Sequence, residues 1–168
     1  MILVTLGTHP QPMDRVVLWV DRLIEDGTVD EAVIQAACFG KLPRRAEAIG
    51  VVAGDELERL MKSATRVVTH GGPGTMIQAL ALGRRPIVVA RDPALGEHID
   101  GHQQRFVAWL AERRNILPVV ALDELRAALL EPEPPIATAL VDRRAVKRIR
   151  AILHEQDARP RARRRAGG

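Results

Sequence analysis

Short, almost continuously apolar segments, ILVTL, RVVTH and PIVVA, recur along this chain between stretches of helical periodicity, and they restrict its fold more than any other feature. A segment that is apolar at every position must be covered on both faces, and strands of that kind belong to parallel sheets with helices packed above and below. The alternation predicts a doubly wound α/β domain. Apolar runs and Gly/Pro punctuation place strands at 2–6, 32–37, 49–53, 65–70, 86–90 and 116–121, and helices at 13–25, 55–63, 75–82, 102–114 and 123–130. After the breaker EPEPP, residues 136–154 read as a last amphipathic helix with Ile136, Leu140, Val141, Ile149, Ile152 and Leu153 as its apolar positions, packed on the core or docked on a partner subunit. A chain of 168 residues suits one such domain with a substantial core.

In this architecture ligands collect at the carboxyl ends of the strands. Three loops open there: GTHPQP after the first strand, HGGPG after the fourth and RDPALGEHIDGHQ after the fifth. The fifth-strand loop is long for a plain connection, which favours binding. In the run from Thr69 to Pro93, a strand ends at His70, turns through Gly71, Gly72 and Gly74, and enters a helix at Thr75. Glycines allow close approach of the backbone, and the following helix offers unpaired N–H groups with partial positive charge, so the segment reads as a cradle for a diphosphate. The Gly-Lys-Ser/Thr ending of a P-loop is absent, which argues against ATP or GTP hydrolysis.

Composition removes other classes. Two Phe, two Trp and no Tyr give no platform for stacking nucleic-acid bases. A lone Cys38 permits neither an internal disulfide nor a four-thiolate metal site, and suits a reducing cytoplasm. No apolar run nears the roughly 20 residues needed to span a bilayer, and no secretory leader is evident. The net charge of +4 hides a split: residues 1–142 carry 15 Lys/Arg against 19 Asp/Glu, and residues 143–168 carry 10 against 2. The ending RPRARRRAGG is expected to be a solvated, disordered tail, with attraction to anionic lipid as its functional alternative. The domain is therefore drawn at 1–155 and the basic tail at 156–168.

Three segments in order, VTLGTHPQPMDRVV, THGGPGTMIQALALGRRPIVV and RDPALGEHIDGHQ, resemble the donor-binding subunits of two-part GT-B glycosyltransferases, the glycosyltransferase family 28 C-terminal domain group. That group includes the cytosolic subunit of the dolichol-pathway N-acetylglucosaminyltransferase and bacterial exopolysaccharide glycosyltransferase subunits. The resemblance covers about residues 1–125. It implies a single Rossmann-like domain with a parallel sheet, equivalent to the C-terminal half of a GT-B enzyme, which binds a UDP-sugar without a metal or other cofactor. Such a chain is active only with a separate acceptor-binding, membrane-anchored subunit. The pair would transfer a hexose or N-acetylhexosamine to a lipid-linked or polysaccharide-precursor acceptor, at the inner face of the membrane, without nucleic acid.

Carried over by position, Gly71, Gly72, Gly74 and Thr75 match the segment that holds the diphosphate. Gln78 stands where the family usually has a glutamate that accepts ribose hydroxyls; a neutral amide loses that charge assistance. Glu97, His98, His102 and Gln103 match the loop around the donor sugar, with Gln103 the strongest candidate. Thr8 and His9 lie where they can touch the diphosphate or the transferred sugar, and a protonated His9 would stabilise departing UDP. By resemblance the uracil lies near Ala53 to Asp55. Gly72→Val is expected to abolish transfer with the fold largely intact.

Other readings have weaker support. HGGPG is also like an esterase oxyanion loop, yet the only serine, Ser63, sits in KSA without a nucleophile elbow, and Cys38 sits in ACFG. A dinucleotide-dependent oxidoreductase needs G-x-G-x-x-G and an acid at the next strand's end, where Ala90 and Arg91 stand instead. A non-catalytic module that binds a nucleotide-sugar remains the main alternative.

Overall fold

The computed structural model describes residues 1–112 and 115–133, the side chain of His102 excepted. The expected helix at 136–154 and the basic tail lie outside the described residues. Six parallel strands, β1 (Ile2–Gly7), β2 (Ala32–Ala36), β3 (Glu47–Ile49), β4 (Arg66–Thr69), β5 (Ile87–Val88) and β6 (Leu117–Pro118), form one sheet in the order β3-β2-β1-β4-β5-β6. The central strand β1 has every residue buried, as its almost continuously apolar sequence requires. Strand order reverses between β1 and β4, and the loops leaving these two strands diverge to open a crevice.

Among the described residues five helices cover the sheet: α1 (Asp14–Glu25), α2 (Gly54–Ser63), α3 (Pro73–Ala81), α4 (His102–Ala111) and α5 (Leu122–Leu130). Alternation along the strands divides the core. Val4, Leu6, Ile34 and Val68 pack with Val16, Val20 and Leu23 of α1 and Leu125 of α5. On the opposite face Leu3, Val33 and Val67 pack with Met61 of α2 and Ala79 of α3, while Val88 meets Met76, Val107 and Leu110 of α3 and α4. Each of these Val, Leu, Ile and Met side chains, fully buried, contributes about 1.5–3 kcal/mol.

The expected alternation is present, with local differences. The third strand lies at Glu47–Ile49 rather than 49–53, because Gly50 ends it, and the apolar pair Val51 and Val52 forms the approach to α2. Helix α3 starts at Pro73, two residues before the expected Thr75; proline is well suited to a first helical position, where no N–H is needed. The long loop after β5 contains a 3-10 turn, Pro93–Leu95, whose Asp92 carboxylate accepts the Ala94 N–H.

Candidate functional site

A cavity of about 240 Å³ occupies the crevice at the carboxyl edge. Thr5 and Gln35 form its floor, Thr8 one side, Val51, Val52 and Leu57 another, and the start of α3 the third. The Thr5 hydroxyl donates to Gln35 Oε1 at 2.8 Å, so these two buried polar side chains hold each other in place.

The first turn of α3 closes when the Met76 N–H donates to the Gly72 carbonyl at 3.2 Å. Pro73 has no N–H, so Gly74 and Thr75, both lining the cavity, contribute the donors that have no acceptor within the helix. With the helix dipole, these donors favour an anion there. Gly71 turns the chain at φ +83°, and a Cβ on it would come within 3.1 Å of Val107 and 3.2 Å of the Ala90 backbone, so its role is to let the turn pack against β5 and α4.

His70 is the residue that sequence reasoning missed. Its ring fills space left by two glycines: a Cβ at Gly7 would lie 2.5 Å from His70 Cε1, and one at Gly72 2.3 Å from Nε2. Nδ1 lies 3.2 Å from the Thr5 carbonyl oxygen, an acceptor only, so Nδ1 carries the hydrogen and donates. Burial, reinforced by the Arg91 charge and opposed by the Thr5 bond, lowers the His70 pKa to about 4, so the ring is neutral at neutral pH. This corrects the expectation for Gly72→Val: any side chain there strikes a buried imidazole, and the fold does not survive unaltered. Gly7, the last residue of β1, and Gly72, just before α3, leave the space for this ring, and nothing in their spacing shows it in the sequence.

The other candidate residues lie beside this cavity rather than in it. His9 stacks on His98 with ring centroids 4.6 Å apart. His98 Nδ1 accepts the Asp100 N–H at 3.3 Å. Glu97 is buried with both carboxylate oxygens engaged: Oε1 by Arg15 Nε at 2.8 Å, Oε2 by Arg15 Nη2 at 3.0 Å and by the Asp92 N–H at 2.9 Å. Gln103, on the first turn of α4, is buried, and its Oε1 has no hydrogen-bond partner among the described residues. His102 starts α4, and its side chain lies outside the description. Gln78 donates from Nε2 to the Gly54 carbonyl at 3.1 Å, tying α3 to the start of α2 where the nucleoside was expected. The structure thus brings Thr8, Gly72, Gly74 and Thr75 around one cavity and His9, Glu97 and His98 onto two adjoining loops. Two arginines, Arg15 and Arg91, join those loops; sequence reasoning assigned neither a role.

Solved structures share this architecture. A crystal structure of the glycotransferase of kitacinnamycin matches with a TM-score of 0.57 at 21% identity, covering 94% of this chain and 39% of that one. UGT89C1 of Arabidopsis thaliana, solved with UDP-L-rhamnose, matches with a TM-score of 0.52 at 13% identity, covering 92% and 38%. The present chain therefore spans about two fifths of the length of either. No curated protein matches it significantly. Residues 1–155 match the model of the glycosyltransferase family 28 C-terminal domain, and the chain belongs to that family.

Proposed function

We propose that this chain binds the nucleotide-sugar donor, a UDP-sugar, and forms the donor half of a glycosyltransferase whose acceptor-binding half is a separate, membrane-anchored polypeptide. The observation that carries this reading is the cavity at the β1/β4 divergence with the start of α3 in its wall. The diphosphate lies against the N–H groups of Gly74 and Thr75 and the Thr75 hydroxyl, with the nucleoside toward Val51 to Asp55. Ligand pockets usually measure roughly 300–1,000 Å³, so a cavity of about 240 Å³ takes only part of a nucleotide-sugar. The sugar then extends toward His9, His98 and Gln103, where a second polypeptide covers it.

Among the described residues no carboxylate lines the cavity, and the one titratable side chain there, His70, is neutral and bonded to Thr5. The base that deprotonates the acceptor hydroxyl accordingly comes from the partner. Its oxygen attacks the anomeric carbon directly, the bond to UDP breaks with inversion, and helix-end donors together with His9 stabilise the charge on departing UDP. These donors meet the diphosphate charge without a metal ion. The product is a hexosylated or N-acetylhexosaminylated lipid-linked or polysaccharide-precursor acceptor. No helix among the described residues is long and apolar enough to cross a membrane, and attachment at the inner face of the membrane is assigned to the partner. The same lack of a base in the cavity favours the second reading, a module that binds a nucleotide-sugar without turnover.

Thermal-shift and calorimetric titration with UDP-, GDP- and dTDP-sugars tests the donor role, since a ligand of the native state raises its stability by mass action. UDP-sugars are expected to bind in the presence of EDTA, and Thr75→Val to weaken binding about tenfold through the loss of one charged hydrogen bond. Absence of any nucleotide binding overturns the proposal. Transfer only on co-expression with a second α/β polypeptide supports the enzyme, and binding without turnover in any pairing supports the module.

A further inference from the structure

Two arginines connect the loop after β1 to the loop after β5, and their hydrogen bonds are unlike those of an ordinary surface pair. Arg91 is only 2% exposed, and its guanidinium donates to three backbone carbonyls on two stretches of chain: Leu6 at 2.7 Å and Gln11 at 2.6 Å on one, Glu97 at 2.8 Å on the other. Arg15, at the start of α1, grips both oxygens of Glu97 and also donates to the Ala90 carbonyl at 2.8 Å. The Glu97 carboxylate completes the arrangement by accepting the Asp92 N–H. Arg15 is itself held over the Trp19 ring, 5.1 Å from its centroid.

We propose that Arg91 and the Arg15–Glu97 pair are positioning residues for the sugar portion of the donor. The proposal rests on the donor role argued above. The clasp fixes residues 6–11 against residues 90–97, the two segments that carry His9 and His98 into their stack. Among the described residues it makes no hydrogen bond to Gly72, Gly74 or Thr75, nor to the approach to α2; of the cavity lining it holds only Gly7 and Thr8, so the helix-end and nucleoside contacts do not depend on it. Glu97 therefore acts through the loop it holds, its oxygens being used on Arg15 and the Asp92 N–H. A lysine cannot replace Arg91, because one ammonium with tetrahedral donors does not match a planar fork set for three carbonyls on two segments.

The clasp predicts a split between two ligands that differ only by the sugar. Calorimetry compares UDP with whichever of UDP-glucose, UDP-galactose and UDP-N-acetylglucosamine binds the wild-type protein most tightly. Arg15→Met and Glu97→Gln, at the less buried end of the clasp, are expected to lower UDP-sugar affinity tenfold or more and UDP affinity less than threefold. Arg15→Lys, which keeps one charged bond to Glu97, recovers part of the loss. Arg91→Lys follows the same split with a larger factor, and thermal unfolding reports whether it still folds. Equal losses for UDP and UDP-sugar, no loss for either, or equal wild-type affinity for UDP and every UDP-sugar overturns the positioning role while leaving the donor role standing. Wild-type protein that binds neither ligand removes both.

Discussion

At the amino edge of the sheet, Arg84 reaches the carbonyls of Met61, Ala64 and Thr65 and the carboxylate of Glu133, while Arg66 donates to the Glu131 carbonyl. At the carboxyl edge, Arg91 and Arg15 tie loops together in the same manner, but the start of α3 keeps two backbone donors uncommitted beside a cavity. The amino edge has the larger cavity, about 320 Å³, bordered by the four carboxylates of Asp30, Glu31, Glu131 and Glu133 against the one arginine Arg66. An acidic rim repels a nucleotide, and size alone does not mark a binding site. What separates the edges is what borders each cavity: charged groups that are mostly carboxylates at the amino edge, and at the carboxyl edge the backbone N–H donors of a helix start.

Substitution at each edge breaks this contrast in a different way. The largest effect is expected from Gly72→Val, which drives a side chain into the His70 ring; overpacking of that kind costs about 3 kcal/mol. Nucleotide binding by calorimetry should vanish with it, and a variant with wild-type unfolding and wild-type UDP affinity would contradict the wedge geometry. Arg84→Met at the opposite edge is expected to cost a similar amount, about 3 kcal/mol by chemical denaturation, because it leaves Glu133 and three carbonyls unpaired. Its UDP affinity should stay within about twofold of wild type if the edges are independent.

The third effect is of pH. His70 has a folded pKa of about 4 against an ordinary value of 6.5, so above pH 6.5 neither state binds a proton there. As the pH falls from 6.5 toward 4 only the unfolded chain takes up the proton, and stability drops by up to about 1.4 kcal/mol per pH unit. Urea denaturation at several pH values should find this slope in the wild type and a smaller one in His70→Asn. Smallest is Gln78→Glu: it gives up the bond to the Gly54 carbonyl, a cost of about 1 kcal/mol, and places a charged acceptor near the nucleoside. UDP should bind a few-fold more tightly, and calorimetry finding no change or a loss removes Gln78 from ribose contact.

Much of the fold was legible because β1, β4 and α1 satisfy local and tertiary demands together: Val4 and Val68 are apolar, β-branched and buried on both sides, and α1 presents Val16, Val20 and Leu23 at helical spacing. Val51 and Val52 have the same composition but border a cavity, so apolarity there reflected a binding wall and not a ladder position. The glycine cradle could be read from HGGPG, since that signal is local. Where Glu97 spends its charge could not, because Arg15 lies 82 residues away in sequence. Nor did the spacing of His70 relative to Gly7 reveal a ring lodged between two strand ends.

That lodged ring couples three positions. Gly7, His70 and Gly72 share one volume, so enlarging either glycine is compatible with folding only if position 70 shrinks at the same time. At Gly72 such changes are non-additive, each single replacement being harmful where the compensating pair is tolerated, whereas Gly7 at φ +78° resists a side chain even beside a smaller residue 70.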